Sequence, residues 1–550
     1  MDSEDVLRVL DSGKHNIFQW LTFFKLGFVY LRGCWHVLAI IFMGAVPSHW
    51  CARPEDTNST HYYPDGECSV TFEQGGTNVT EECSYGYEYG KEFDSTIATD
   101  FDLVCKNDYQ VDLSTTIYMI GSALGAILIT PLSDKYGRKK VLLVSLWIQG
   151  VFGIGVAFVQ SYIAFVITRF VVALLNMAIA LIAYVMITEL FTTKKRTLPS
   201  VGVNFFWSWG IMTLALFGYL IRDWRHMQIL ITVPNFITVL YIWFLPESIH
   251  WLLTNKRWKL LRKTVKSAAK TNSITISEDF FRHMNEAETC PSRSIEQVEV
   301  DTFVKQGTEQ HVETKDVKPM DGQTKAVTIL DLFKTPKIRR YTIVMFYLWF
   351  VISLAYFGIL FSTPTLHGNM FVNLAISGAV EMPACLTCMY VLERTGRRKP
   401  LVCFMLLCGV MNIVTIFVPA ETASGVNLQP LTITFAMIGK FGITGAYSTV
   451  YLMSAEIFPT SVRNQAVGLS SFFENCGSIS APFIVYGAKN LERMPLVIFG
   501  ALTVLGGLLA LMLPETHGQA LPENIPDIDD TPRHVTKTTA PLSDPGVTRL

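Results

Sequence analysis

Charge is scarce in this sequence. Asp, Glu, Lys and Arg make up 17% of its 550 residues, and 45 basic against 46 acidic side chains leave a formal net charge of −1. A surface built for nucleic-acid phosphates needs a basic excess, so the balance gives no reason to expect that partner. No Gly-x4-Gly-Lys-Ser/Thr occurs, so ATP does not drive the protein directly. No nucleophile–base set and no cluster of metal ligands stands out, and neither an enzyme, a metal nor a cofactor is expected. Cys385 and Cys388 share a short spacing but have no further ligand nearby, and they read as small buried residues. Residues 1–17 carry acids and no small-residue cleavage site, so a removable signal peptide is not expected.

What the sequence does have is apolar length. Half of the residues are hydrophobic and the mean hydropathy is +0.33. The apolar positions come in blocks of about 20, the length that crosses a hydrocarbon core. Spans are expected near 18–46, 111–131, 141–159, 163–187, 201–221 and 227–245, and again near 341–363, 371–391, 400–419, 430–452, 465–487 and 495–513. A polar loop at 47–110 follows the first span. A long polar segment at 247–340, with an amphipathic run near 249–261, separates the two sets, and a polar tail at 514–550 closes the chain.

Three marks recur in the same order. Ala455-Glu456-Ile457-Phe458 through Arg463 repeats Thr188-Glu189-Leu190-Phe191 through Arg196, about 267 residues earlier. Leu513-Pro514-Glu515-Thr516 repeats Leu245-Pro246-Glu247-Ser248, and Glu393-Arg394-Thr395-Gly396-Arg397 repeats Asp134-Lys135-Tyr136-Gly137-Arg138. Each mark ends an apolar run, so the chain reads as two duplicated six-helix bundles, 18–246 and 341–513.

Orientation follows from the short loops. Lys135, Arg138, Lys139, Lys140, Lys194, Lys195, Arg196, Arg394, Arg397, Arg398, Lys399 and Arg463 all follow even-numbered spans. The sequons at Asn58 and Asn78, with Cys51, Cys68, Cys83 and Cys105, follow the first. Basic loops, both termini and the 247–340 segment are therefore expected in the cytoplasm, and a glycosylated, disulfide-bonded loop outside. Four cysteines allow three pairings, and the spacing does not choose among them. The external loop is also a candidate for self-association.

Asp134 and Arg138, with Glu189 and Arg196, and Glu393 and Arg397, with Glu456 and Arg463, form two charge sets at helix ends. Such pairs suit a latch that is made and broken; fixing orientation alone would need only the bases. Ionisable groups deep in spans are costly unless they face a cavity or a partner. They are Arg32, Glu381, Lys440 and Glu474, with Lys25 near enough to an end to snorkel. Glu381 and Lys440 either line a cavity or pair with each other, and both can hold at once. Tyr184, Trp207, Trp349, Tyr356, Phe357 and Tyr447 offer ring faces that attract an ammonium group, although single aromatics in spans more often pack or face lipid.

Twelve spans in two halves, with an acid-x-x-Gly-Arg-Lys/Arg turn after the second span of each, resemble the major facilitator superfamily. Thr130, followed by Pro131, stands where that family's first turn usually opens with Gly. The external loop, the inter-half segment and Gly439-Lys440-Phe441-Gly442-Ile443-Thr444 leading into Ala455–Arg463 resemble the solute carrier 22 family, closest to its organic cation and carnitine branch. The resemblance implies an all-α fold of 12 transmembrane helices and alternating access. It also implies cavity roles for Tyr184, Trp349, Tyr356 and Glu381. Where its cation carriers have Asp and its anion and carnitine carriers commonly have Arg, this chain has Asn475, preceded by Glu474.

The expectation is a plasma-membrane transporter of organic cations or carnitine-like zwitterions, with Na⁺ or H⁺ as candidate coupling ions. An organic anion exchanger, in which Arg32 and Lys440 dominate the cavity, and a non-transporting sensor on the same scaffold are the alternatives.

Overall fold

In the computed structural model the described residues are 3–11, 16–52, 62–64, 68–74, 77–83, 85–192, 195, 197–274, 276, 280, 332–363, 366, 368–419, 427–459, 462–487 and 494–517. Asn58 and Arg196 lie outside them, as do the side chains of Asn78 and Arg463.

The first half comprises α1 (Ile17–Leu38, continued by Ile40–Met43), α2 (Tyr109–Leu128, continued by Thr130–Tyr136), α3 (Arg138–Val156), α4 (Tyr162–Thr188), α5 (Thr197–Leu220) and α6, in pieces Trp224–Thr232, Pro234–Ile237 and Tyr241–Phe244. The second comprises α7 (Pro336–Ser362), α8 (Met370–Thr395), α9 (Arg398–Val414), α10 (Gln429–Ile457), α11 (Arg463–Gly487) and α12 (Met494–Ala510). Among the described residues nine helices are long and apolar enough to cross a membrane, and α12 is a shorter apolar helix. α10 and α11, of 29 and 25 residues, are long enough but carry Gly, Ser and Thr in place of aliphatic residues.

Two spans depart from the simple apolar runs, and proline is the reason in both. Pro131 sits at the start of a new turn, where its missing N–H costs nothing, so α2 carries on to Tyr136 instead of stopping at the end of its apolar run. Pro234 and a 3₁₀ turn at Thr238–Leu240 break α6 into pieces.

The insertion between α1 and α2 is not all loop. It carries β1 (His49–Cys51), β2 (Tyr62–Pro64), β3 (Ser69–Gln74), β4 (Thr77–Glu82) and β5 (Tyr87–Tyr89), paired antiparallel as β1-β5 and β2-β3-β4. Of the three pairings open to its cysteines, the structure forms Cys51–Cys83 and Cys68–Cys105. On the opposite side of the bundle, helices Ser3–Asp11, Ile249–Thr254 and Trp258–Thr271 share a small core of Val6, Leu10, Trp251, Leu252, Leu261 and Val265. Asn272 ties that core to α1: its Oδ1 accepts from the Phe18 N–H at 2.8 Å and its Nδ2 donates to Gln19 at 2.8 Å.

The halves meet where α5 packs on α8 and α2 on α11. Gly378 of α8 makes the first approach close, because a Cβ there would stand 3.0 Å from Ile211 Cβ and from the Ser208 carbonyl oxygen of α5. On the insertion side, Phe371 of α8 stacks on Phe42 of α1 at 5.2 Å, and the Arg222 guanidinium lies 5.6 Å from the Phe371 ring. Tyr486 of α11 donates to Asp108, ahead of α2, at 3.0 Å. The two halves are closed against each other on that side.

Candidate functional site

The three duplicated marks converge on one node in each half. In the first half Arg138 makes a two-pronged pair with Glu189, both bonds 2.8 Å, and reaches Asp134 at 2.9 Å. Ser248 Oγ donates to the same Glu189 at 2.6 Å, while Glu247 accepts from the Lys139 N–H at 2.9 Å and so caps α3. In the second half Arg397 pairs with Glu456 at 3.2 Å, Thr516 Oγ1 donates to Glu456 at 2.6 Å, and Glu515 accepts from the N–H groups of Arg397 and Arg398 at 2.7 and 3.2 Å. Gly137 and Gly396 carry φ of 109° and 98°, and a Cβ on either would meet the capping carboxylate within 2.8 Å. Glycine is thus required twice at each corner, by backbone and by space.

Burial holds the Glu247 carboxyl above its ordinary value, opposed by the N–H groups of Lys139 and Ser248. Glu393 is exposed on the last turn of α8. Both ion pairs close inside one half, Arg138 with Glu189 and Arg397 with Glu456. Replacing Glu515 by Ala should strip the cap from α9 and cost about 1–2 kcal/mol. The thermal unfolding midpoint of the purified protein checks this, and an unchanged midpoint would show that water serves those N–H groups equally well.

At the centre of the bundle stand two carboxylates in opposite electrostatic situations. Glu381 of α8, 2% exposed, pairs with the fully buried Lys440 of α10 at 2.9 Å. It also accepts from Tyr356 of α7 at 2.7 Å and from Ser208 of α5 at 3.1 Å. The Lys440 ammonium lies 3.4 Å from the centre of the Tyr356 ring, and Trp207 of α5 donates to the Tyr356 hydroxyl at 2.8 Å. This node joins the two halves and is neutral overall.

Glu474 of α11 is as deeply placed, at 6% exposed, but among the described residues it has no cationic partner. Its carboxylate accepts from Tyr451 at 2.9 and 3.0 Å and from Tyr447, both of α10. Tyr30 of α1 interacts electrostatically with Glu474 and with Tyr184 of α4, so the first half supplies rings to the same place. Trp349 of α7 packs on Tyr451 at 4.4 Å and is held by a 2.8 Å bond from its Nε1 to Ser454. A continuous aromatic wall runs from Trp349 through Tyr451 and Tyr447 to Tyr356, with neighbouring centroids 4.4 to 5.6 Å apart. Arrays of ring faces around one uncompensated carboxylate suit an organic ammonium group, above all a quaternary one, which has no N–H to donate and binds through charge and cation–π attraction.

Of the residues named from sequence, the structure gathers Tyr184, Trp349, Tyr356, Glu381, Lys440, Tyr447 and Glu474 at this centre. Asn475 is turned aside: its Nδ2 donates to Ser471 O of its own helix at 2.7 Å. Arg32 is not there either, since it points into the interior of the first half toward Gln149 and Asn235. Sequence reasoning missed Tyr451, which lies one turn beyond Tyr447 on α10 and was open to a helical-spacing argument. Tyr30 and Ser208 gave no signal, because an isolated Tyr or Ser in a span reads as packing. An open groove of about 450 Å³ between α7 and α12 is lined by Arg339, Arg340, Tyr347 and Leu509 and lies away from both carboxylates.

The family model described as "Sugar (and other) transporter" matches residues 69–526. An organic cation transporter-like protein of Drosophila melanogaster is 34% identical, the match covering 95% of this chain and 92% of that protein. Organic cation/carnitine transporter 2 of Homo sapiens is 32% identical over 93% of this chain and 92% of its own length. Among solved structures, a partially occluded inward open form of the xylose transporter XylE from E. coli superposes with a TM-score of 0.55. That match has 13% identity and covers 92% of this chain and 99% of that one. It shows the shared major facilitator fold.

Proposed function

We propose, on the premise that this chain belongs to the solute carrier 22 family of organic cation and carnitine transporters, that it carries a substrate bearing a quaternary or tertiary ammonium group through the centre of its two halves. The observation that supports this most is Glu474, a buried carboxylate whose partners among the described residues are tyrosine hydroxyls and no cation. A cationic headgroup against Glu474, with the rings of Tyr30, Tyr184, Tyr447 and Tyr451 beside it, supplies the missing charge. A carnitine-like zwitterion fits the same place through its ammonium end. A simple organic anion fits poorly, because Lys440 already neutralises Glu381.

Transport follows from rocking one half against the other around this shared site. The insertion side is closed by Phe42 on Phe371 and by Tyr486 on Asp108, so opening outward must separate those pairs. The Arg138–Glu189 and Arg397–Glu456 nodes act in this reading as the rigid corners on which the halves turn, with Asp134 and Glu393 adding charge at the same helix ends. We place the protein in the plasma membrane with both termini cytoplasmic, because the basic loops lie opposite the disulfide-bonded insertion. A monovalent cation is then drawn inward by about 2.3 kcal/mol per 100 mV.

Uptake of labelled tetraethylammonium and of carnitine in cells expressing the chain tests this, with and without Na⁺ and with the potential collapsed. Saturable tetraethylammonium uptake that falls with the potential is expected, and Na⁺-dependent carnitine uptake would identify the zwitterion and its coupling ion. Uptake of neither compound, with the protein at the cell surface, would overturn the reading.

A further inference from the structure

The first half contains a second group of buried charges that the substrate reading leaves unused. On α1, Tyr30 and Cys34 face the Glu474 and Glu381 centre. Two residues on from each, Arg32 and His36 point about 200° away, into the interior of the six-helix bundle. Both are fully buried, and Arg169 of α4 is 3% exposed.

Arg32 Nη1 donates to Gln149 Oε1 of α3 at 2.7 Å and to Asn235 Oδ1 of α6 at 2.6 Å. Gln149 in turn donates to Asn176 at 3.0 Å, and Asn176 donates to the Gly33 carbonyl at 3.1 Å, so the amides of the network are spent on one another. The Arg169 guanidinium lies 4.7 Å from the centre of the Tyr118 ring, and its Nη1 reaches only the weak acceptor Met43 Sδ at 3.7 Å. His36 interacts electrostatically with both arginines.

What remains is a set of buried polar atoms, most of them N–H donors, with the neutral His36 ring supplying one donor and one acceptor. Nε and Nη2 of Arg32, Nε and Nη2 of Arg169 and both ring nitrogens of His36 are buried with no hydrogen-bond partner among the described residues, and the Tyr118 hydroxyl lies beside them within reach of Asn176. No carboxylate among those residues pairs with either arginine. Guanidinium does not shed its proton, so these two charges persist, and each costs several kcal/mol if left uncompensated inside the bundle. Water can accept from the donors but cannot cancel the charge.

We propose that the first half encloses one small inorganic anion, of the size and charge of chloride, held by Arg32, His36, Tyr118 and Arg169. The enclosure by nearly unexposed side chains restricts the occupant to a small anion, and the placement away from Glu474 separates it from the transported substrate. The proposal does not depend on which organic ion is carried.

The test is equilibrium binding of ³⁶Cl⁻ to the purified full-length protein in sodium gluconate. Saturable binding displaced by bromide is expected. It should be retained in Glu474→Gln and weakened at least tenfold in Arg32→Gln and Arg169→Gln. Absence of saturable binding to monodisperse wild-type protein would overturn the proposal, and so would undiminished binding in both arginine variants. Should those variants fail to fold, the wild type decides alone. Its thermal midpoint should rise when chloride replaces gluconate at constant ionic strength, and bromide-soaked crystals should show an anomalous peak between Arg32 and Arg169. A midpoint indifferent to chloride, or bromide found only elsewhere, would overturn it.

Discussion

Glu474→Gln is expected to lower uptake of a permanently cationic substrate about a hundredfold while the protein remains folded and at the cell surface. The glutamine is nearly isosteric, and its amide oxygen can still accept from Tyr447 and Tyr451, so the local hydrogen bonding survives. What disappears is the only carboxylate at the centre that lacks a cationic partner among the described residues. A desolvated charge pair of this kind is worth roughly 3 kcal/mol, and each 1.4 kcal/mol is tenfold in affinity. The aromatic wall should keep a residual, weaker site, so KM should rise more than Vmax falls. Measuring both with tetraethylammonium checks this. A loss confined to Vmax would show that Glu474 serves the conformational cycle instead of the headgroup, and unchanged kinetics would remove it from the site.

The helical architecture was legible because its signals are repetitive. Blocks of apolar residues give the spans, and the recurrence of Glu189 to Arg196 at Glu456 to Arg463 gives the duplication. The structure adds why the three marks travel together: Glu247 with Ser248, and Glu515 with Thr516, close on the same corners as the two Arg–Glu pairs. The strands of the insertion were not legible, because short polar segments stapled by disulfides need no long apolar alternation to hold their pairing. At the centre, charge gave the reliable signal. Glu381, Lys440 and Glu474 stood out because charge inside a span is rare, whereas Tyr451 and Tyr30 are distinguished only by which way they point. Asn475 shows the limit of reading a position by its place in a family pattern. Its neighbour carries the carboxylate, and on α11 it is Glu474, about 100° round the helix, that faces Tyr447 and Tyr451 of α10.

Lys440 and Glu381 should behave oppositely to Glu474 when removed singly. Lys440→Ala leaves Glu381 charged, nearly unexposed and supported only by Tyr356 and Ser208, while Glu381→Gln leaves the Lys440 ammonium with the Tyr356 ring as its main support. Breaking one side of a buried pair costs about 3–5 kcal/mol, because the remaining charge keeps its desolvation penalty and loses its compensation. That is a large part of the stability of a typical domain, so both single variants should express poorly and unfold at lower temperature. The double variant Glu381→Gln with Lys440→Gln removes both charges together and keeps polar groups within reach of Tyr356 and Ser208. It should recover most of the lost stability, and the difference between the double and the summed singles measures the coupling. The same node also bonds α5 of one half to α7 and α8 of the other, through Ser208 to Glu381 and Trp207 to Tyr356. A stable double variant should therefore transport more slowly only if this junction times the rocking of the halves. A double-variant loss equal to the sum of the two single losses would show that the pair contributes nothing as a pair.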